Sequence, residues 1–89
     1  MMKTEVEMYF TSTCPYCQMA EDLLQKVGAI NVKKINIENN DEDRTQMRIR
    51  SGRSSVPQIF IGKTHVGGYD DLCEAHDSGT LMALLSGNG

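Results

Sequence analysis

The fold of this chain depends most on residues 6–17, whose sequence is Val-Glu-Met-Tyr-Phe-Thr-Ser-Thr-Cys-Pro-Tyr-Cys. Apolar side chains at every second position predict a β-strand over residues 5–10. Residues 11–13 are polar and predict a turn, and from Pro15 onward the apolar spacing becomes helical. A strand therefore passes into a helix at the two cysteines that close this stretch.

The two cysteines predict a redox-active dithiol. Cys14 falls at the N-cap of the helix and Pro15 at its first position, where a missing N–H costs nothing. Unpaired N–H groups and the helix dipole favour an anion there, so they favour the thiolate of Cys14. Cys17 lies one turn further in, close enough to form a disulfide with Cys14. We therefore expect Cys14 to attack and Cys17 to resolve.

Two other interpretations of the cysteine pair are weaker. A C-x-x-C pair is half of a tetrahedral zinc site, but such a site needs two more ligands. Only Cys73, His65 and His76 remain, and they do not repeat the paired spacing. The second alternative is a pair of inert cysteines at a helix start. The strand–C-x-x-C–helix context favours the redox interpretation over both.

Composition predicts one soluble domain over residues 1–89, with 39% hydrophobic and 24% charged residues. A net charge of −3 argues against bulk binding to nucleic acid or to anionic membranes. No apolar run approaches the ~20 residues of a membrane helix, and the first residues do not resemble a signal peptide. Three cysteines do not make a secreted disulfide framework, so we expect a cytoplasmic protein, and we expect it to be monomeric.

The rest of the chain supplies three more strands and further helices. The predicted segments are a helix over 15–27 ended by Gly28, a strand within 32–37, a helix over 41–51 ended by Gly52, a strand over 56–61, a hairpin partner over 64–66, a helix starting at Tyr69 and a last helix over 78–85. This order, β-α-β-α-β-β-α(-α), predicts a mixed four-stranded sheet with helices on both faces. The first two strands should be parallel and the last two antiparallel.

Several side chains receive a structural interpretation. We expect Arg50 and Arg53 to belong to a solvated basic face, and His65 and His76 to lie at the surface. Cys73 is expected to be a small buried apolar side chain. Met47 with Ile49 should form the thin apolar stripe of the second helix. Four methionines are expected to fill gaps in the core: Met8, Met19, Met47 and Met82.

Three motifs in combination give the chain a family resemblance. They are Cys-Pro-Tyr-Cys at 14–17, Ser-Val-Pro-Gln-Ile-Phe-Ile at 55–61 and Gly-Gly-Tyr-Asp-Asp-Leu at 67–72. With these motifs at this spacing, the chain resembles the dithiol glutaredoxins from about Val6 to Leu85. The resemblance implies the thioredoxin fold, reduction of protein disulfides and glutathione mixed disulfides, and glutathione as the reducing co-substrate, with no metal.

The resemblance also implies a glutathione site. The family proline matching Pro57 is cis, and it turns the backbone of Val56 outward to pair with the cysteinyl backbone of glutathione. The γ-glutamyl carboxylate is expected at the start of the third helix, at Tyr69 and Asp70, because helix N-termini bind anions. Arg44 would hold the glycine carboxylate through its guanidinium fork. The predicted substrate-binding set is Thr11, Pro15, Tyr16, Arg44, Ser55, Val56, Pro57, Gly68, Tyr69 and Asp70, with Cys14 and Cys17 catalytic.

Thr11 departs from the family pattern, which has a lysine three positions before the first cysteine. A cation that would favour the Cys14 thiolate is therefore missing, and glutathione affinity and thiol acidity are both expected to be lower. This departure leaves room for an alternative, a glutaredoxin-like redoxin reduced by a thioredoxin reductase. A second alternative is a carrier in which two protomers hold a [2Fe–2S] cluster through Cys14 and glutathione. The rigid Pro15 argues against the cluster.

Overall fold

The computed structural model describes residues 4–29 and 31–87. The elements are β1 Val6–Phe10, α1 Pro15–Lys26, β2 Val32–Asn36, α2 Asp41–Ser51, β3 Gln58–Ile61, β4 Thr64–Gly67, α3 Tyr69–Ser78 and α4 Thr80–Leu85. The predicted order of strands and helices is confirmed. Both ends of the predicted domain, residues 1 and 89, lie outside the described residues. Across 4–29 and 31–87, none of the helices combines the length and the apolar character needed to cross a membrane.

Two element boundaries differ from the predictions by two residues each. The third strand begins at Gln58 rather than at Val56, because Pro57 has no N–H to donate to a sheet ladder. The last helix begins at Thr80 rather than at residue 78, because α3 extends to Ser78. Gly79 separates the two helices with a left-handed φ of 85°, ending α3 and starting α4.

The four strands form one mixed sheet in the order β2-β1-β3-β4. β1 pairs parallel with β2, with Val6 opposite Val32, and antiparallel with β3, with Tyr9 opposite Gln58. β3 and β4 form the predicted antiparallel hairpin, with an irregularity between Ile59 and Phe60. This topology places the end of β1 beside the start of β3, so the loop carrying the cysteines meets the loop before Gln58.

Side-chain alternation in the two central strands divides the core between the faces of the sheet. On one face Met8 and Ile59 pack with residues of α1, α3 and α4, including Leu24 and Leu72. On the other face a smaller cluster packs against α2: Tyr9, Ile37, Met47 and Phe60. The prediction of helices on both faces is confirmed, with three helices on one side and one on the other.

Several packing predictions are wrong. Ile49 is 70% exposed, so Met47 alone forms the apolar contact of α2, and Met19 and Met82 are also exposed. Met8 and Met47 are fully buried, as expected. Arg50 is not simply solvated, because its guanidinium lies 3.9 Å from the centroid of the Phe60 ring. It also donates to the Tyr9 hydroxyl at 3.0 Å and to the Glu7 carboxylate at 3.0 Å, closing the edge of the smaller cluster.

Candidate active site

Cys14 caps α1 through its sulfur. Its backbone is extended, with φ −96° and ψ 108°, and its Sγ accepts a hydrogen bond from the Cys17 N–H at 3.1 Å. Pro15 follows at the first helical position, as predicted. The sulfur therefore faces an N–H group that the helix leaves unpaired and the positive end of its dipole. Cys14 is half-buried rather than sealed in the interior, so a substrate sulfur can reach it.

Cys17 lies in a different environment, although it is only one turn away. It is 3% exposed, and all three cysteines are present as thiols. Burial, with a smaller contribution from the neighbouring Cys14, raises the pKa of Cys17 to about 12. Desolvation disfavours the thiolate form of a buried thiol. Cys17 therefore keeps its proton at neutral pH, while Cys14 is the more accessible of the two sulfurs.

The loop before β3 presents its backbone to the Cys14 sulfur. The Val56–Pro57 peptide bond is cis, and the Val56 carbonyl oxygen lies 3.8 Å from Sγ of Cys14. Among the described residues, the Val56 N–H has no backbone partner. The backbone groups that the resemblance assigns to glutathione are therefore not occupied by the sheet.

The Gln58 side chain holds this loop in place through hydrogen bonds. Its side chain, in a residue only 1% exposed, donates to the Ser55 carbonyl at 3.0 Å and meets His65 Nε2 through Oε1 at 2.8 Å. Because Oε1 can only accept, Nε2 of His65 carries the proton of this bond. His65 is half-buried and tilts against the Phe60 ring at 4.8 Å, so the prediction of an ordinary surface histidine is wrong. Burial is the largest cause that lowers the pKa of His65.

An open groove of about 220 Å³ runs beside this loop. We call it the groove; its lining is Tyr16, Arg53, Ser55, Val56, Pro57, Gln58, Gly68, Tyr69, Asp70 and Asp71. The rings of Tyr16 and Tyr69 stand 6.1 Å apart at its rim, tilted by 36°. Tyr16 is 59% exposed, so it presents an aromatic face to solvent.

The start of α3 closes the other side of the groove. Asp71 accepts from the Gly68 N–H at 3.0 Å and from Nη1 of Arg53 at 2.8 Å. The Arg53 hydrogen bond, followed by that of Gly68, lowers the pKa of Asp71. Gly67 has a φ of 119°, and a Cβ there would lie 2.3 Å from Oδ2 of Asp71. Only glycine therefore fits at Gly67 in this arrangement.

Cys73 lies one helical turn after Tyr69 on α3. It is half-buried rather than fully buried, so the prediction of a small core side chain is only partly met. Hydrogen bonding with the Cys73 thiol is the largest cause that raises the pKa of Tyr69. The phenol at the groove rim therefore stays protonated at neutral pH.

A second, smaller cavity of about 90 Å³ adjoins both active-site sulfurs. We call it the dithiol cavity; its lining is Met8, Phe10, Thr11, Ser12, Cys14, Cys17, Gln18, Glu21 and Lys34. Nζ of Lys34 lies 2.6 Å from Oε2 of Glu21 and 5.4 Å from the centroid of the Phe10 ring. The sequence interpretation missed this ion pair. No local spacing indicated it, because Glu21 lies on α1 and Lys34 on β2.

The structure brings most of the predicted substrate-binding residues together and separates a few. Those that line the groove are Tyr16, Ser55, Val56, Pro57, Gly68, Tyr69 and Asp70. Thr11 lines the dithiol cavity instead. Arg44 lines neither of these two spaces, and its Nη2 donates to the Ile37 carbonyl at 3.2 Å. Arg53, predicted to be solvated, lines the groove and pairs with Asp71.

Comparison with known proteins agrees with this geometry. The family model described as Glutaredoxin matches residues 6–66. Glutaredoxin 3 of Escherichia coli K12 is 45% identical over 80 residues, which cover 90% of this chain and 95% of that protein.

Two solved structures are similar over nearly the whole chain. The solution structure of glutaredoxin from Brucella melitensis is 44% identical with a TM-score of 0.79, covering 93% of this chain and 90% of that one. The crystal structure of a buckwheat glutaredoxin–glutathione complex is 28% identical with a TM-score of 0.84, covering 97% of this chain and 80% of that one.

Proposed function

The chain belongs to the glutaredoxin family and is a glutathione-dependent thiol oxidoreductase; we propose that it acts through both Cys14 and Cys17 on glutathione mixed disulfides and on protein disulfides. The observation that carries this proposal is the contrast between the two sulfurs. Cys14 caps a helix at the edge of an open groove, whereas Cys17 is buried and has a raised pKa.

The first reaction needs only Cys14. Its thiolate attacks the glutathione sulfur of a mixed disulfide, the S–S bond breaks, and the substrate leaves as a thiolate that takes a proton from solvent. Cys14 is now bonded to glutathione. A second glutathione thiolate attacks the glutathione sulfur of this adduct, oxidised glutathione leaves, and the Cys14 thiolate is restored.

Protein disulfides need the second cysteine. Cys14 attacks one sulfur of the substrate and forms an intermolecular disulfide, and the Cys17 thiol then loses its proton and attacks Cys14. The reduced substrate leaves, and a Cys14–Cys17 disulfide remains, which two glutathione molecules reduce. The one-turn spacing of the cysteines makes this second attack intramolecular, so it competes well with dissolved thiols.

The groove suits a tripeptide with a charged group at each end. The N–H and C=O of Val56 would pair with the cysteinyl backbone of glutathione as in a β-bridge. The N-terminus of α3 would bind the γ-glutamyl carboxylate, with the Asp70 carboxylate accepting from the ammonium group. Tyr16 and Tyr69 would cover the ligand from the rim.

The glycine carboxylate has two candidate partners. Arg44 remains the predicted one, and binding would require its guanidinium to exchange the Ile37 carbonyl for the carboxylate. Arg53 already lines the groove, with Nη1 held by Asp71. Comparing Arg44→Gln with Arg53→Gln separates them, because the true partner shows the larger rise in KM for glutathione.

A turnover assay with two electron donors tests the proposed function. The purified protein is given a glutathionylated peptide and either glutathione with glutathione reductase, or a flavin-dependent thioredoxin reductase. We expect NADPH consumption with the first system and little with the second. Turnover with the second donor alone would overturn the glutathione proposal and favour the redoxin alternative raised by Thr11.

The remaining properties are proposals as well. We propose that the protein works as a monomer in the cytoplasm, where reduced glutathione keeps the three thiols of this chain reduced. Within 4–29 and 31–87, no group of three or more His, Cys, Asp or Glu side chains is placed to hold a metal ion. A [2Fe–2S] cluster shared by two protomers would need only Cys14 from each. We propose that none is bound, and visible absorbance after anaerobic purification would contradict this.

A further inference from the structure

The dithiol cavity contains two charged side chains that the first reaction does not use. Glu21 of α1 and Lys34 of β2 form an ion pair at 2.6 Å and line the same cavity as Cys14 and Cys17. The Glu21 side chain is 19% exposed and that of Lys34 45% exposed. Glu21 is therefore the more buried member of the pair, and Lys34 is the more exposed one.

The resolution step creates a need for a proton acceptor. Cys17 is 3% exposed, so bulk water cannot freely accept its proton when it attacks Cys14. The deglutathionylation cycle has no such need, because Cys17 takes no part in it. An acceptor beside Cys17 would therefore act in the dithiol reaction alone.

Glu21 is the carboxylate best placed to accept the proton of Cys17. It follows Cys17 by four residues on α1, so the two side chains lie on one helix face one turn apart. Two other carboxylates bond to residues of this cavity without lining it: Asp22 accepts from the Gln18 amide at 3.0 Å, and Glu38 accepts from the Ser12 N–H. Among the described residues lining the cavity, Glu21 is the carboxylate and Lys34 is the cation.

We propose that Glu21 accepts the proton of Cys17 during resolution, through water admitted to the dithiol cavity, and that Lys34 is a positioning residue that holds the Glu21 carboxylate toward that cavity. This rests on the proposed dithiol function. A cavity of about 90 Å³ lined by polar groups has room for water. The atoms and electrons of this step balance. The Cys17 S–H bond breaks and its proton passes to Glu21. The Cys17 sulfur bonds to the Cys14 sulfur, and the bond between Cys14 and the substrate sulfur breaks, which releases the substrate thiolate.

Replacing Glu21 by its isosteric amide tests the proposal. In Glu21→Gln, we expect formation of the Cys14–Cys17 disulfide from a mixed disulfide with a protein substrate to slow by about 10–100-fold at pH 7, measured by rapid-quench mass spectrometry. In the variant this rate should rise about tenfold per pH unit, since hydroxide then supplies the base; in the native protein it should rise less steeply. Deglutathionylation of a glutathionylated peptide should stay within about twofold.

Matched variants separate proton transfer from structural damage. Asp22→Asn removes the adjacent carboxylate of the same helix, which does not line the cavity, and should leave both rates unchanged. Lys34→Gln should slow resolution, and Lys34→Arg should restore most of the rate. In a Cys17→Ser background, Glu21→Gln should have no effect on deglutathionylation.

Three results would overturn the proposal. The first is an unchanged resolution rate in Glu21→Gln, and the second is an unchanged pH profile. The third is an equal loss of both activities, which would show a structural role. Failure of the proposed dithiol function would appear as a native protein that forms no Cys14–Cys17 disulfide from the mixed disulfide. Failure of the Glu21 proposal would appear only where the native protein forms this disulfide and Glu21→Gln forms it at the same rate.

Discussion

The groove and the dithiol cavity lie beside the same sulfur but differ in almost every physical respect. The groove is open and is bordered by tyrosine rings and backbone groups, and its charged residues are Arg53 and the two aspartates at the start of α3. The dithiol cavity is smaller and holds a buried thiol and one ion pair. In the proposed mechanism this difference separates recognition from the second thiol reaction: the groove side of Cys14 would bind glutathione, and the cavity side would accept the proton of Cys17.

The largest expected effect distinguishes the two sulfurs that join these regions. Cys14→Ser should abolish every activity by more than about 10³-fold, because serine supplies no thiolate nucleophile. Cys17→Ser should lose reduction of protein disulfides but keep deglutathionylation. Both activities are measured with glutathione and glutathione reductase. Equal loss of deglutathionylation in the two variants would contradict the division of labour.

The next largest effect is expected from a substitution that distorts the groove and leaves the dithiol cavity unchanged. Gly67→Ala places a methyl group against Asp71 at a strained φ of 119°, and should lower the free energy of unfolding by about 2–4 kcal/mol. It should also raise KM for glutathione, because the start of α3 must shift. The control is Gly52→Ala, which has a φ of 71° but meets nothing within 4 Å; it should cost about 1–2 kcal/mol and leave KM unchanged. Similar KM values for both variants would argue against the role given to Gly67.

A smaller effect tests the hydrogen bonds that Gln58 makes to Ser55 and His65. Gln58→Met keeps the buried volume but leaves the Ser55 carbonyl and His65 without their partner, at a cost of about 1–3 kcal/mol. We expect KM for glutathione to rise several-fold while the alkylation rate of Cys14 changes little. Gln46→Met, at an exposed position of α2, serves as the control and should alter neither. A lower alkylation rate with an unchanged KM would mean that Gln58 supports the cysteine loop instead.

The smallest effect concerns the Arg53–Asp71 pair at the groove. Asp71 has a lowered pKa, so its contribution to stability is present above the ordinary aspartate pKa and is lost as pH falls through the folded value. The pair is exposed, with side chains 48% and 39% accessible, so solvent screening limits this contribution to less than about 1 kcal/mol.

Chemical unfolding at pH 7 and at pH 3 measures this difference. Asp71→Asn should be less stable than the native protein at pH 7 and similar to it near pH 3. Asp77→Asn, whose side chain is 84% exposed, should show no such pH dependence. An equal deficit at both pH values would mean that the charge of Asp71 does not stabilise the fold.

Features encoded by neighbouring residues were predicted well. The N-cap at Cys14, Pro15 at the first helical position and the acidic cap of α3 all depend on residues within one helical turn. The order of strands and helices along the chain followed from apolar periodicity, and the hairpin followed from the turn at Gly62. Local spacing fixes such elements because their hydrogen bonds join residues close in the chain.

Predictions about long side chains failed more often. Arg50, Arg53 and Met19 were judged by composition, and each lies in a different environment from the one expected. A flexible side chain finds its partner among residues that folding brings near, and helical periodicity carries no information about them. The same limit applies to Gln58, whose hydrogen bonds to Ser55 and His65 join the loop before β3 to β4.

The sequence by itself determined the class of this protein: a strand, a dithiol at a helix start and two further motifs specify the fold and the reaction. Which charged side chains meet near that dithiol depended on the tertiary structure. Arg53 meets Asp71 across 18 positions, and Lys34 meets Glu21 from a neighbouring strand. Such pairs depend on strand register and on how helices pack against the sheet. Those contacts come from burying apolar surface across the whole chain, so no short stretch of sequence specifies them.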